Sequence, residues 1–463
     1  MDLETAKQLL RKYTDGHSSY VKKADVAERY YKRKNDILFS KRQDEDDPLH
    51  QANNRVASNF YKLLVNQKAA YAFSDPPKFD VGGRTENELI QKCLGDAWAK
   101  KCKALCVQAA NNQVGWIHYW KDDNKGFRYA VLDSRQVIPV WTKDLEKELK
   151  AVLRCYEEIA EDNGMTYAIY EIWTDKECQT FRRRIDLEWN GLEYYPMFPM
   201  IDIDSGIAEM TNTLYHDFGE VPFIFFNNND EMTSDLDDIK DLIDSYDKVY
   251  SGFINDMEDI QQIIFVLTNY GGEAGNTKQI LQEMKKKVIL VDSDGADDRS
   301  GISTLSIEIP VEARKEILAT TRKAIFEQGM GIDPDPQNFG NSSGVALKYL
   351  YSLLELKTGM METEFRISFN RLVRAILHAN GVEEVDHILQ KWKRSSVSND
   401  QEMAQICNDS KGVISDETII RNHPLVDDPD AEIEQVKKQK EENEPNWNPV
   451  PVRDGEEEDG EQH

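Results

Sequence analysis

Long apolar runs are missing from this chain of 463 residues: no window approaches 18 consecutive apolar residues, so no membrane-spanning helix is expected. Cysteine is scarce too. Cys93, Cys102, Cys106, Cys155, Cys178 and Cys407 are too dispersed for a disulfide scaffold, and the first three are spaced for a helix and not for a zinc knuckle. Buried thiols are the expectation. The opening MDLETAKQLL has no positively charged region followed by an apolar run, so no secretion signal is expected and assembly is placed in the cytoplasm. Basic residues are in the minority, 57 against 84 acidic, giving a formal charge of -27 and a pI of about 4.8. Such a surface does not collect duplex DNA by general attraction, although DNA that passes through without being held is compatible with it.

Catalytic signatures are lacking as well. No phosphate-binding GxxxxGK[ST] run occurs, and the glycine-rich Gly340 to Gly344 has no following lysine to reach phosphates. His216 beside Asp217 has no serine or cysteine nucleophile to complete it and reads as a hydrogen-bonded turn. The acidic loop Asp292 to Asp298 places Gly295 fourth where a calcium loop needs its glycine sixth, and the closing glutamate is absent. Asp202 and Asp204 share one side of a strand-like stretch without a partner constellation. No cofactor or metal is expected, and an enzyme is the weaker class.

What is present is enough apolar content, 40%, for two or three cores. The most telling stretch is Ser234 to Gln262. Its Leu236, Ile239, Ile243, Tyr246, Tyr250, Phe253, Met257 and Ile260 recur every three or four residues, predicting one helix about 40 Å long. Ser234 with Asp237 makes a capping-box-like start, and Leu242 and Val249 widen the apolar face enough for more than one neighbour. Asp237, Asp238, Asp241, Asp244 and Asp247 are expected on its polar side, as a solvated or intersubunit face.

Ahead of this strut, residues 1–40 are mixed helical and polar, with a basic cluster between Lys22 and Lys34. Asn54 to Phe73 and Glu86 to Asn111 read as helices. Alternating runs then predict mainly antiparallel strands at Val114–Tyr119, Phe127–Leu132, Val137–Pro139, Val152–Ile159, Thr166–Thr174 and Cys178–Ile185. This order of elements is α+β. After the strut, strands are expected at Val288–Val291 and Ile302–Ile309, then a helix over Val311–Gln328 opened by Pro310. Gly329 to Gly344 holds four glycines and two prolines between strong helices and must be a loop, followed by a helix to about His378 with Gly359 as a possible bend. Residues 381–426 read as a smaller helical end, where Lys391, Lys393 and Arg394 beside Trp392 form a surface patch. From Asp427 the chain is acid-rich and is expected to be disordered.

Four stretches, Asn53–Val56 through Tyr71–Pro77, Phe218–Phe223 through Asn228, Ser234 through Asp256, and Ser343–Lys348 through Met361, carry a resemblance to the SPP1-like portal family of tailed bacteriophages, covering about residues 20–380. The resemblance implies a portal fold: a mixed wing at 1–233, stem helices at 234–262 and 311–328, a clip at 263–310, a tunnel loop at 329–343, a long wing helix at 344–380, a helical crown at 381–426 and a tail at 427–463. It further implies a homo-oligomeric ring, twelve subunits in the virion, around a double-stranded DNA channel at one capsid vertex. Terminase, scaffolding and major capsid proteins, and head-completion proteins would be its partners, with no membrane. On this chain the tunnel loop would present Gly331, Asp333, Asp335, Asn338, Asn341, Ser342 and Ser343, the stem Asp237, Asp241, Asp244 and Asp247, and the clip Lys285, Lys286 and Lys287. The alternatives are a ring or scaffold that handles no DNA and a metal-dependent nuclease or hydrolase using Asp292 or Asp294.

Overall fold

The computed structural model of the chain describes residues 1–41, 52–122, 126–161, 163–201, 208–260, 264–268, 288–291, 301–305, 310–335, 344–382, 385–394, 400–426 and 429–443. They fall into two units, residues 1–338 with 350–396, and residues 339–349 with 397–463. In the first unit, helix α1 (Leu3–Tyr31) starts where Asp2 accepts the Thr5 N–H, a side-chain cap on an otherwise unpaired donor. Helix α2 (Phe60–Phe73) is shorter than the expected Asn54 to Phe73. The reason lies in residues 52–58, whose backbone bonds to side chains of another helix and not to itself, as described below.

Strand β1 (Asp75–Asp80) leads to α3 (Arg84–Leu94) and α4 (Trp98–Asn112). The expected single helix over Glu86 to Asn111 is two, because Gly95 closes α3 in the left-handed region at φ +69, where glycine carries no Cβ penalty. The predicted strands follow as β2 (Val114–Lys121), β3 (Phe127–Leu132), β4 (Val137–Trp141), β5 (Leu149–Ile159), β6 (Thr166–Trp173) and β7 (Glu177–Arg184), all antiparallel. Short strands β8 (Glu193–Tyr194), β9 (Phe198–Ile201), β10 (Ala208–Thr211) and β11 (Thr213–Tyr215) precede β12 (Phe223–Asn227). Three sheets result: β12-β2-β3, β11-β7-β6-β5-β4 with β8 beside β7, and the antiparallel pair β9-β10.

Strand β2 is the hinge of the packing. Its odd residues Ile117 and Tyr119 join a core with Leu105 and Cys106 of α4, whereas Val114 and Trp116 face Val137, Val152 and Trp173 of the larger sheet. A strand buried on both sides reads as a nearly continuous apolar run, as Val114 to Trp120 does.

Helix α5 (Lys240–Ile260) follows, then three strands, β13 (Ile264–Thr268), β14 (Val288–Val291) and β15 (Gly301–Leu305), in the order β14-β13-β15. The β13 and β14 pair is parallel and the β13 and β15 pair antiparallel. Helix α6 (Val311–Gln328) has the expected bounds, with Pro310 at its N-cap. Helix α7 (Gly344–Ala379) runs on through Gly359 and lays Phe365 and Phe369 against Phe73, Phe226 and Trp98. Each phenylalanine so buried contributes roughly 1.5–3 kcal/mol. Strand β16 (Leu389–Lys393) pairs with β1, so the start of the predicted helical end is a sheet edge; Trp392 turns inward onto Phe73 while Lys391 and Lys393 stay exposed.

In the second unit, α8 (Asp400–Asp409), α9 (Asp416–Asn422) and α10 (Pro429–Asn443) are helical. Helix α10 corrects the expectation of a disordered tail over those residues. Acids Asp430 and Glu432 in its first turn and Lys440 in its last suit the helix dipole, and Lys440 reaches Asp416 at 2.7 Å while Asp430 meets Arg421 at 2.7 Å.

Candidate functional site

The expected stem begins in a turn. Residues Asp235 to Ile239 precede the first regular turn of α5, and the Ser234 N–H donates to the Asp237 carboxylate at 3.1 Å, the return half of a capping box. Leu236, Ile239 and Ile243 are buried together with Ile325 and Phe326 of α6 and with Leu64 and Val65 of α2. Phe60 wedges edge-on between Tyr246 at 4.9 Å and Phe326 at 5.8 Å. Farther along, where the pair leads into β13 to β15, Arg314 grips Asp256, and Met257, Val311 and Ile317 are exposed. One end of the helix pair is rooted in the core; the other end is not.

The stem acids do not share one polar face. Asp237 and Asp241 are exposed, as expected. Asp244 instead accepts the Tyr30 hydroxyl and pairs with Lys240 at 2.6 Å, and Lys240 also reaches Asp36 at 2.9 Å. Asp247 is only 1% exposed and accepts from Asn35 at 2.6 Å and from the Ser58 N–H at 2.8 Å. Burial raises its pKa, partly offset by those bonds. The helical spacing correctly put both acids off the apolar stripe, but it could not show that a second segment covers them.

That segment is an extended strap. The N–H groups of Ala52, Asn54, Val56 and Ser58 donate in turn to Asp259, Asn255, Ser251 and Asp247 at 2.9, 2.6, 3.0 and 2.8 Å. Steps of two along an extended chain cover about 6.6 Å and steps of four along a helix about 6 Å, so the two rows stay in register. The signal was in the sequence, as polar residues every fourth position on α5, but it has no meaning until the strap is placed.

The loop after α6 is pinned at its start. Gln67 of α2 holds Ile332 by both backbone groups, at 3.1 Å to the N–H and 2.7 Å to the carbonyl. Asp333 is paired with Arg322 at 2.6 Å, and the Asp335 N–H donates to Asp333 at 3.2 Å. Gly329 and Gly331 both lie against Leu64, where a Cβ would sit 2.7 and 2.1 Å from its methyl carbons. Of the remaining expected contacts, Asn338, Asn341, Ser342 and Ser343 lie outside the described residues, as do clip residues Lys285, Lys286 and Lys287 and the acids Asp202, Asp204, Asp292 and Asp294.

Where the turn before α5, the residues after α6 and helix α7 meet, a charge network is buried that residue patterns did not single out. Asp235 lies between Lys68 of α2 at 3.2 Å and Lys357 of α7 at 3.0 Å, and accepts from the Asn228 amide at 2.8 Å. Lys68 also donates to Asn228 at 2.7 Å, and Lys357 to the Gly329 carbonyl at 3.0 Å. Burial pushes the Asp235 carboxyl up, but attraction to Lys357 and Lys68 more than reverses this and holds it well below the usual carboxylate range. Burial lowers Lys357, outweighing the pull of Asp235. A cavity of about 50 Å³ adjoins the three, lined also by Gln328, Met330 and Met360. Lysines at positions 68 and 357, each on an apolar helix face, were the available signal.

His216 makes the expected turn contact, its ring nitrogen 3.1 Å from the Thr174 carbonyl, while Asp217 pairs with Lys121 at 2.8 Å. All six cysteines are free, four of them buried. Among the described residues no three His, Cys, Asp or Glu side chains converge as a metal site would need, and no helix is long and apolar enough to cross a membrane.

Helices α5 and α6 flank a small three-stranded sheet and are followed by the long helix α7; the class to which this chain belongs is that of the phage portal proteins. The chain belongs to the family described as phage portal protein, SPP1 Gp6-like, which matches residues 10–446. It is 41% identical over 419 residues to the portal protein of Clostridium phage phiCD119, covering 87% of this chain and 89% of that protein. It is 27% identical over 427 residues to the portal protein of Bacillus phage SPP1, covering 89% and 82%. Among solved structures it is similar to a chain from the neck of a native GTA particle computed with C12 symmetry, with TM-score 0.40, 12% identity and coverage of 81% of this chain and 91% of that one.

Proposed function

We propose that copies of this chain close into a ring, a dodecamer in the virion, at one vertex of the capsid, and that double-stranded DNA passes through its axis during packaging and ejection. The ring docks terminase, scaffolding and major capsid proteins, and later head-completion proteins; it is assembled in the host cytoplasm and makes or breaks no bonds of its own. The observation that carries this reading is family membership across residues 10–446, a span that includes the residues proposed as stem, clip, loop and long helix. The charge of -27 supports passage over retention, since an acidic wall offers phosphates no grip. Within the described part of the loop, Asp333 is paired with Arg322, so that guanidinium is already engaged. Asp237, Asp238 and Asp241 are exposed, which is compatible with acids of the stem facing either the channel or a neighbouring subunit.

Electron micrographs of the purified protein test the proposal. Rings with an axial opening wide enough for a duplex, about 20 Å, are expected; a closed dimer or a ring without such an opening would overturn it. Incubation with DNA and Mg²⁺ or Mn²⁺ is expected to leave the DNA intact, and turnover lost on Asp292→Ala or Asp294→Ala would favour a hydrolase instead.

A further inference from the structure

Helix α7 carries two apolar faces, and among the described residues only one of them is buried. Leu354, Met361, Phe365 and Leu372 lie on the core side, each no more than 2% exposed. On another side, Leu353, Leu356, Met360 and Ile367 are 39, 56, 43 and 54% exposed. With exposed Thr363 these positions step by three, four, three and four residues, the a and d spacing of a heptad seam. At about 100° per residue they stay within a narrow stripe for roughly 21 Å of helix. Soluble chains rarely leave so continuous an apolar line uncovered.

The charges bordering the stripe are already engaged. Glu355 pairs with Arg394 at 3.2 Å, Glu362 with Arg366 at 2.6 Å, Lys357 with Asp235, and Glu364 accepts from Asn227 at 3.1 Å. Glu355, Glu362 and Lys357 are each matched by an opposite charge, and of the four only Glu364, bonded to a neutral amide, is left uncancelled, so the seam carries little net charge on a chain of charge -27. Two copies of so acidic a chain repel one another over most of their surfaces, and an apolar strip of little net charge is where they can meet at low electrostatic cost.

We propose that this seam is a subunit contact, and that a second copy of the chain lies along α7 over Leu353, Leu356, Met360 and Ile367. The proposal rests on the ring reading and specifies where neighbouring subunits are sealed together. In a ring the contact is head-to-tail, so the seam of one copy meets a different surface of the next. These four side chains form the apolar centre of an interface whose full extent, about 800 Å² per partner, includes further polar contacts.

The test compares full-length Leu356→Glu/Met360→Glu with Leu356→Met/Met360→Leu and the wild type by sedimentation velocity, with circular dichroism as the folding control. The wild type and the conservative variant are expected to assemble, while the charged variant keeps its helix content and associates at least about 100-fold more weakly. Assembly of the charged variant at wild-type concentrations would overturn the seam and leave the ring reading standing; a wild type that stays monomeric would overturn both. Should the charged variant misfold, Leu356→Cys decides: its maleimide labelling, read by peptide mass, is expected to slow at least about 10-fold in the assembled protein, and equal rates in assembled and dissociated chains would overturn the proposal.

Discussion

Asp235 is the residue on which most of the interior electrostatics turns, since it is the anion shared by Lys68 and Lys357. Asp235→Ala leaves two buried ammonium groups facing each other and is expected to cost roughly 3–5 kcal/mol in chemical denaturation, the usual penalty for breaking a buried pair. Lys357→Met is expected to cost less, because Lys68 still neutralises Asp235. The pH dependence separates the two partners. Asp235 titrates below its ordinary 3.8 in the folded chain, so its stabilisation is present above that value and is lost as pH falls through the folded pKa. Lys357 titrates below 10.5 when folded, so its charged form is a cost that is relieved as pH rises from the folded pKa toward 10.5. Urea midpoints at pH 7 and pH 9.5 should therefore move in favour of wild type over Lys357→Met at the higher pH; a constant difference would mean that Lys357 is not strained by its burial. Gly331→Ala is the steric counterpart. A Cβ there would come within 2.1 Å of buried Leu64 and 2.9 Å of Gln67, and overpacking of about 1–3 kcal/mol is expected, with the Gln67 clamp on Ile332 disturbed.

At the scale of elements, the strap over residues 52–58 makes a prediction that its irregular backbone would not suggest. Hydrogen exchange should be slow at Asn54, Val56 and Ser58, whose N–H groups end on α5, and faster at the intervening residues 53, 55 and 57. Asp247→Ala should speed exchange at Ser58 and lower stability by about 1–3 kcal/mol, because the Asn35 amide and the Ser58 N–H lose a buried acceptor. Uniform fast exchange along the strap would refute the lacing. The strap also shows why sequence reasoning placed some elements and missed others. Helix α6 and the strands of the larger sheet were legible because period and flanking Pro310 or turn residues are local properties. The polar and apolar residues of Asn54 to Ser58 fit a helical period, while the partners that hold the segment extended lie 189 to 201 residues away. The same distance hid the site: the spacing of Asp244 and Asp247 says only that they leave the apolar stripe, and Tyr30, Asn35 and Ser58 decide what they meet. Helix α10 failed in the opposite direction, since composition alone suggested disorder and its end charges supplied the dipole compensation and cross-helix pairs that favour a helix.

For the whole molecule the dominant quantity is the net charge of -27, carried by every copy that enters a ring. Twelve such chains would bring a formal charge of roughly twelve times that value into one particle, and Coulomb repulsion between exposed acids falls off within about 10 Å at 0.1 M salt. Several acids are paired within the chain: Asp244 with Lys240, Asp333 with Arg322, Glu362 with Arg366. If neighbouring subunits meet through apolar strips such as the α7 seam, salt will screen the repulsion without removing the attraction. Ring formation is then expected to strengthen as NaCl rises from 50 to 300 mM, with a lower half-assembly concentration in sedimentation or mass photometry. Weakening over the same range would mean that the subunits are joined chiefly by intersubunit ion pairs, for which the exposed Asp237 and Asp241 of the stem would be the first residues to substitute. Free duplex DNA at 150 mM salt should in either case show little retention, because the net charge of -27 outweighs the few exposed cations such as Lys391 and Lys393.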